Sequence, residues 1–133
     1  MSANQHMHVD NCFGCSLNNP IGLKIDFKIE SDCVKGEFTP NQNHMGPPDG
    51  AHGGVIMTLL DEAMAVFVRA VLKCDVRTAK EEVVFKNLAK IGEKLFVEAR
   101  LKEDRGRAVI VSAKVTNDKG IVAEATGMLF KVR

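Results

Sequence analysis

The segment His52-Gly53-Gly54-Val55-Ile56-Met57-Thr58-Leu59-Leu60-Asp61-Glu62 leads from a glycine-rich loop into an apolar stretch that carries two adjacent carboxylates. If the stretch is helical, its first backbone N–H groups lack internal acceptors and lie at the positive end of the helix dipole, where they can stabilise a developing oxyanion. Gly53 and Gly54 have no side chain to hold a substrate away from that backbone. A carboxylate two turns into an apolar helix is costly to bury unless it is paired or used, and its surroundings can tune it as a base or nucleophile. Asp61 and Glu62 are the candidates. The same pattern also describes an ordinary helix start followed by a solvated polar stripe.

The elements that must position these residues are legible from periodicity. Residues 55–72 contain no Gly or Pro and are rich in Leu, Met, Ala and Val, which predicts a helix of about five turns. At ~100° per residue, Thr58, Asp61, Glu62 and Arg69 share one side and the rest of the circumference is apolar, so protein should surround most of the helix. Alternation of Leu23, Ile25, Phe27 and Ile29 with charged residues predicts a strand over 23–29, followed by a hairpin partner over 33–38. Residues 39–54 hold three prolines and four glycines, which predicts a long loop. Downstream, strands are expected near 81–88, 94–103, 107–116 and 121–132, joined as an antiparallel meander with turns at Asp104-Arg105-Gly106 and Asn117-Asp118-Lys119-Gly120. Two strands, one buried helix and four strands define an α+β domain whose antiparallel sheet packs on the helix. The 133 residues suit one domain, 1–133, with residues 1–20 as an N-terminal arm and no internal repeat or linker.

A formal net charge of +1 gives no electrostatic footprint for nucleic acid or an anionic membrane. The longest unbroken apolar run, residues 63–68, is too short to span a bilayer. The polar N-terminal residues lack the apolar stretch of a secretory leader, so a cytoplasmic location is expected, with Cys12, Cys15, Cys33 and Cys74 as reduced thiols.

With its His-Gly-Gly loop, apolar helix and acidic residue nine positions after the His, the chain resembles the hotdog-fold thioesterase superfamily over residues 20–132. The phenylacetate-degradation and 4-hydroxybenzoyl-CoA thioesterase branches are especially similar. The resemblance implies a hotdog fold, an antiparallel sheet wrapped around one long central helix, and hydrolysis of acyl-CoA without a cofactor. It implies that the Gly53 amide polarises the thioester carbonyl while Asp61 either activates water or attacks the carbonyl. Thr78, fourteen residues before Gly92, matches a Ser or Thr that relatives supply from the other subunit to position the carboxylate or water. His52, Gly54 and Glu62 are the expected substrate contacts. A homodimer or dimer of dimers with sites at the subunit interface is implied as well. Some relatives carry an Asn or Gln before His-Gly-Gly, and the loop from Asn43 to Ala51 has no clear equivalent.

Cys12-Phe13-Gly14-Cys15 followed by Asn19-Pro20-Ile21-Gly22-Leu23 is similar to the start of other hotdog proteins, which favours a structural role for the two cysteines. His6 and His8 could add zinc ligands, but no second Cys or His pair has the usual short spacing and no metal is expected. Lys102, Arg105 and Arg107 could meet the phosphates of CoA, although a solvated turn accounts for them better. Two other functions fit the same residues. One is a hotdog hydratase or dehydratase using Glu62 and His44, and the other is a non-catalytic acyl-CoA-binding module.

Overall fold

The computed structural model describes residues 10–132, so His6 and His8 lie outside the described residues. Strands β1 (Asp26–Ile29) and β2 (Cys33–Phe38) form the first hairpin, and a short 3-10 helix covers Gln42–His44. Helix α1 (Gly53–Val71) follows, then β3 (Val76–Phe85), β4 (Leu95–Asp104), β5 (Ala108–Asn117) and β6 (Gly120–Lys131). All six strands join one antiparallel sheet in the order β1-β2-β4-β5-β6-β3.

The sheet curls around α1, which contacts every strand. Leu59, Leu60, Ala63, Met64, Val66, Phe67 and Val68 are buried around most of the helix circumference, as its apolar composition requires. Inward positions of the sheet, including Phe27, Val34, Leu95, Val97, Val109, Val111 and Leu129, complete one core. Gly127 on β6 faces the middle of α1, where a Cβ would stand 2.7 Å from the Met64 sulfur. No helix among the described residues is long and apolar enough to cross a membrane.

Three expectations are corrected. The first strand begins at Asp26, because Leu23 and Ile25 donate their N–H groups to the carbonyls of Phe13 and Gly14, at 2.8 and 3.0 Å. Residues 10–20 are therefore bound to the body of the domain, with Cys15 and Ser16 buried. The strand after the helix spans 76–85 and not 81–88. Only β4, β5 and β6 form a meander, since β3 crosses over to pair with β6 and its other edge has no strand partner among the described residues.

Candidate active site

The loop before α1 is held from both sides. Ala51 donates to the Ala89 carbonyl at 2.7 Å, Ile91 donates to the Asp49 carbonyl at 2.9 Å, and Gly92 donates to the Pro40 carbonyl at 2.8 Å. His52 donates its N–H to the His44 carbonyl at 2.8 Å, then takes an extended conformation and caps the helix. Its Nδ1 accepts from the Gly54 N–H at 2.8 Å, which puts the ring proton of the neutral imidazole on Nε2. Its carbonyl accepts from Val55 at 2.9 Å and Ile56 at 3.2 Å. Of the first four helical amides, only that of Gly53 finds no acceptor among the described residues.

The two glycines therefore differ. Gly54 spends its N–H on the cap, and a Cβ there would stand 3.1 Å from the His52 Nδ1. Gly53 keeps its N–H available beside the Phe85 ring, 3.6 Å from where its Cβ would be. His44 is occupied structurally, because its Nδ1 accepts from the Asn41 N–H at 2.9 Å and its ring lies 5.0 Å from that of Phe38. Burial lowers its pKa below the ordinary histidine value.

Two turns further along α1, the Thr78 hydroxyl donates to Asp61 Oδ1 at 2.6 Å. Donor and acceptor belong to the same chain, so Thr78 and Asp61 form one unit on α1 and β3. A bulge in β3 between Thr78 and Lys80 controls what joins them. Thr78 pairs with Leu129, Glu81 with Gly127, Val83 with Ala125 and Phe85 with Ala123, and all four β6 partners are buried. Directly paired residues share a face, so Thr78, Glu81, Val83 and Phe85 all face α1. In a regular strand Thr78 and Glu81, three apart, would face opposite ways.

Glu81 is the residue that sequence reasoning missed. Its carboxyl is pushed up to about 7, first by burial and second by the charge of Asp61. Its Oε1 is buried with no hydrogen-bond partner among the described residues. A carboxyl so placed beside a second one is a familiar mark of a functional site. Nothing in the local sequence announces the bulge that turns it inward.

Glu62 does not join this group. It is buried against the N-terminal segment, where Cys12 Sγ donates to its Oε1 at 3.4 Å and Gly14 leaves room for its side chain. Burial, then a hydrogen bond with Glu62, raises the Cys15 thiol well above its ordinary pKa. The polar stripe expected on α1 thus divides between neighbours, with Asp61 facing β3 and Glu62 facing residues 12–15. Among the cations considered for CoA phosphates, Arg105 pairs with Glu103 at 2.9 Å and Arg107 lies 5.9 Å over the Phe130 ring.

One helix enclosed by a six-stranded antiparallel sheet, with a capped glycine turn and an inward carboxylate, defines the hotdog class. The chain belongs to the thioesterase superfamily, whose family model matches residues 50–124 and so contains Gly53, Asp61, Thr78 and Glu81. It is 31% identical over 98 residues to acyl-coenzyme A thioesterase THEM4 of Xenopus laevis, a match covering 71% of this chain and 43% of that protein. The chain thus spans less than half the length of that relative. The fold is similar to that of a Streptococcus mutans protein bound to acetyl CoA, with TM-score 0.76 and 24% identity over 81% of this chain and 88% of that one. A hypothetical thioesterase of Streptococcus pneumoniae with coenzyme A matches at TM-score 0.76 and 20% identity, over 81% and 85% of the two chains.

Proposed function

We propose that this chain hydrolyses acyl-CoA thioesters to the free acid and CoA, with the Gly53 N–H as oxyanion donor and Asp61 as the catalytic carboxylate. The observation that carries this reading is the Thr78–Asp61 hydrogen bond, which leaves the second carboxylate oxygen of Asp61 available on the same helix that begins with an unused amide. The name of the THEM4 relative and the acetyl CoA and CoA bound to the two streptococcal neighbours agree with the substrate class.

In one route Asp61 removes a proton from water as the oxygen attacks the thioester carbon, and the carbonyl electrons move to the oxygen that faces Gly53. Collapse breaks the C–S bond, and the departing thiolate takes the proton back from Asp61. In the other, Asp61 attacks the carbonyl carbon directly, the C–S bond breaks to release CoA thiolate and leave a mixed anhydride, and water then cleaves the anhydride to the free acid and restores the Asp61 carboxylate. Thr78 holds the carboxylate plane in either route.

Geometry along α1 supports a homodimer, and a dimer of dimers equally. Gly53 and Asp61 are eight residues apart, about 12 Å of helix rise at ~1.5 Å per residue. A carbonyl whose oxygen lies ~3 Å from the Gly53 N–H is then too far from Asp61 of the same chain for direct attack, and poorly placed for attack through a single water. Two copies whose helices are brought together can offer the Gly53 of one and the Asp61 of the other. The edge of β3 with no strand partner among the described residues, flanked by exposed Phe85, Leu88 and Met57, supplies a surface for that association.

The hydratase alternative loses its motivating residues, since Glu62 is buried against Cys12 and Cys15 and His44 holds the 3-10 turn. The test is thiol release from short, medium, long and aromatic acyl-CoAs by wild type and Asp61→Asn, with the protein's own thiols subtracted. Asp61→Asn should lower kcat by about 10²–10⁴-fold. Equal rates would remove Asp61 from the mechanism, and tight acyl-CoA binding without turnover would make the chain a binding module.

A further inference from the structure

We propose that Cys12, Cys15 and Glu62 form a binding site for a divalent cation of the zinc class, with water as the fourth ligand. This site is distinct from the Gly53–Asp61–Thr78 group, and the inference does not depend on the thioesterase reading.

Sequence spacing did not disclose it because the third ligand is fifty residues away. The two thiol sulfurs and a Glu62 carboxylate oxygen all lie within 4.8 Å of one another. Around tetrahedral zinc, with Zn–S about 2.3 Å and Zn–O about 2.0 Å, ligand atoms stand about 3.5–3.8 Å apart. Cys12 Sγ and Glu62 Oε1 are already 3.4 Å apart, so small side-chain rotations suffice. Two thiolates and a carboxylate suit zinc over magnesium or calcium, which prefer oxygen alone.

Glu62 supplies the strongest reason for a cation. It is only 8% exposed, and no Lys, Arg or His lies within ion-pair range among the described residues. A thiol is a weak donor, and buried carboxylates are ordinarily paired with a cation or bound to a metal.

The loop is also built to bring the thiols there. Ser16 donates its N–H to the Cys12 carbonyl at 3.1 Å, closing the turn around both cysteines, while Leu23 and Ile25 bond to Phe13 and Gly14 between them. A Cβ on Gly14 would lie 2.6 Å from Glu62 Oε2, so glycine is what lets the loop close over the carboxylate. Cation binding would displace the thiol protons to solvent and join residues 12–15 to the turn of α1 that carries Asp61.

The full-length chain, reduced and stripped of metal by chelation, would be titrated with Co²⁺ and Zn²⁺. One equivalent should bind, and the cobalt form should show the thiolate charge-transfer band and the intense visible bands of a tetrahedral site. Both should vanish in Cys12→Ser/Cys15→Ser and persist in Cys33→Ser/Cys74→Ser. Glu62→Gln should weaken zinc binding by about 10-fold or more. Should the Cys12/Cys15 variant fail to fold, the cadmium-113 NMR shift of the wild-type complex reports two sulfur ligands independently. Absence of a cobalt band in the reduced wild type, a band that survives loss of Cys12 and Cys15, or a cadmium shift without sulfur ligation would each overturn the proposal.

Discussion

Thr78 donates its hydroxyl to Asp61 at 2.6 Å across seventeen residues of sequence, and the bulge just after it turns Glu81 to the same face of β3. The carboxylate proposed for catalysis therefore sits between a hydroxyl that holds it and a second carboxyl that responds to its charge.

Removing the hydroxyl should affect the chemical step more than binding. A hydrogen bond to a charged group is worth about 1.5–3 kcal/mol, so Thr78→Ala should lower kcat by about 10–100-fold with little change in KM, and Thr78→Ser should recover most of it. Steady-state kinetics on one good acyl-CoA checks this. A rise in KM with unchanged kcat would place Thr78 in substrate binding instead.

Glu81 should leave a signature in the pH dependence of stability. Its carboxyl titrates near 7 in the fold against 4.5 in an unperturbed setting. Between those values the folded chain holds the extra proton, so this component of stability is full below about 4.5, falls as pH rises and is lost above about 7. Glu81→Gln should therefore match wild type near pH 4.5 and exceed it by a few degrees in Tm above pH 7. Melting curves for both proteins across that range decide the matter, and parallel profiles would show that Glu81 ionises normally.

His52 acts through the helix cap. His52→Ala should lower the unfolding free energy by about 1 kcal/mol, and His52→Asn, which can still accept from the Gly54 N–H, should restore most of it. Urea titration reads the effect. Loss of turnover in His52→Ala with stability intact would assign the ring a direct contact with substrate.

Gly53→Pro offers a clean removal of the proposed oxyanion donor. Proline suits the first helical position, and His52 already has the extended φ of −62° and ψ of 138° that a following proline requires. The variant should fold and lose about 10²–10³-fold in kcat. If Gly53 and Asp61 act across two subunits, dimers reassembled from equal parts Gly53→Pro and Asp61→Asn should regain roughly a quarter of wild-type activity, since half the dimers are mixed and each holds one intact site. No recovery in confirmed mixed dimers would confine the working pair to one chain.

Local sequence determined a good deal about this protein. Apolar composition without breakers specified α1 to within two residues, the short run after Ser31-Asp32 specified β2 as a hairpin partner over 33–38, and the turns at residues 104–106 and 117–120 placed β4, β5 and β6. The His-Gly-Gly loop and the carboxylate nine residues later were visible for the same reason, because helix starts and helical spacing are short-range properties. Tertiary structure alone decided the rest. Asp61 and Glu62 are consecutive and chemically alike, yet the buried helix turns one toward Thr78 and the other toward Cys12 and Cys15. Glu81 joined Asp61 only because one extra residue in β3 reverses the alternation and β6 fixes its register. Such partnerships form when distant segments close around a shared core, and the spacing of residues along the chain does not encode which side of that core each will meet.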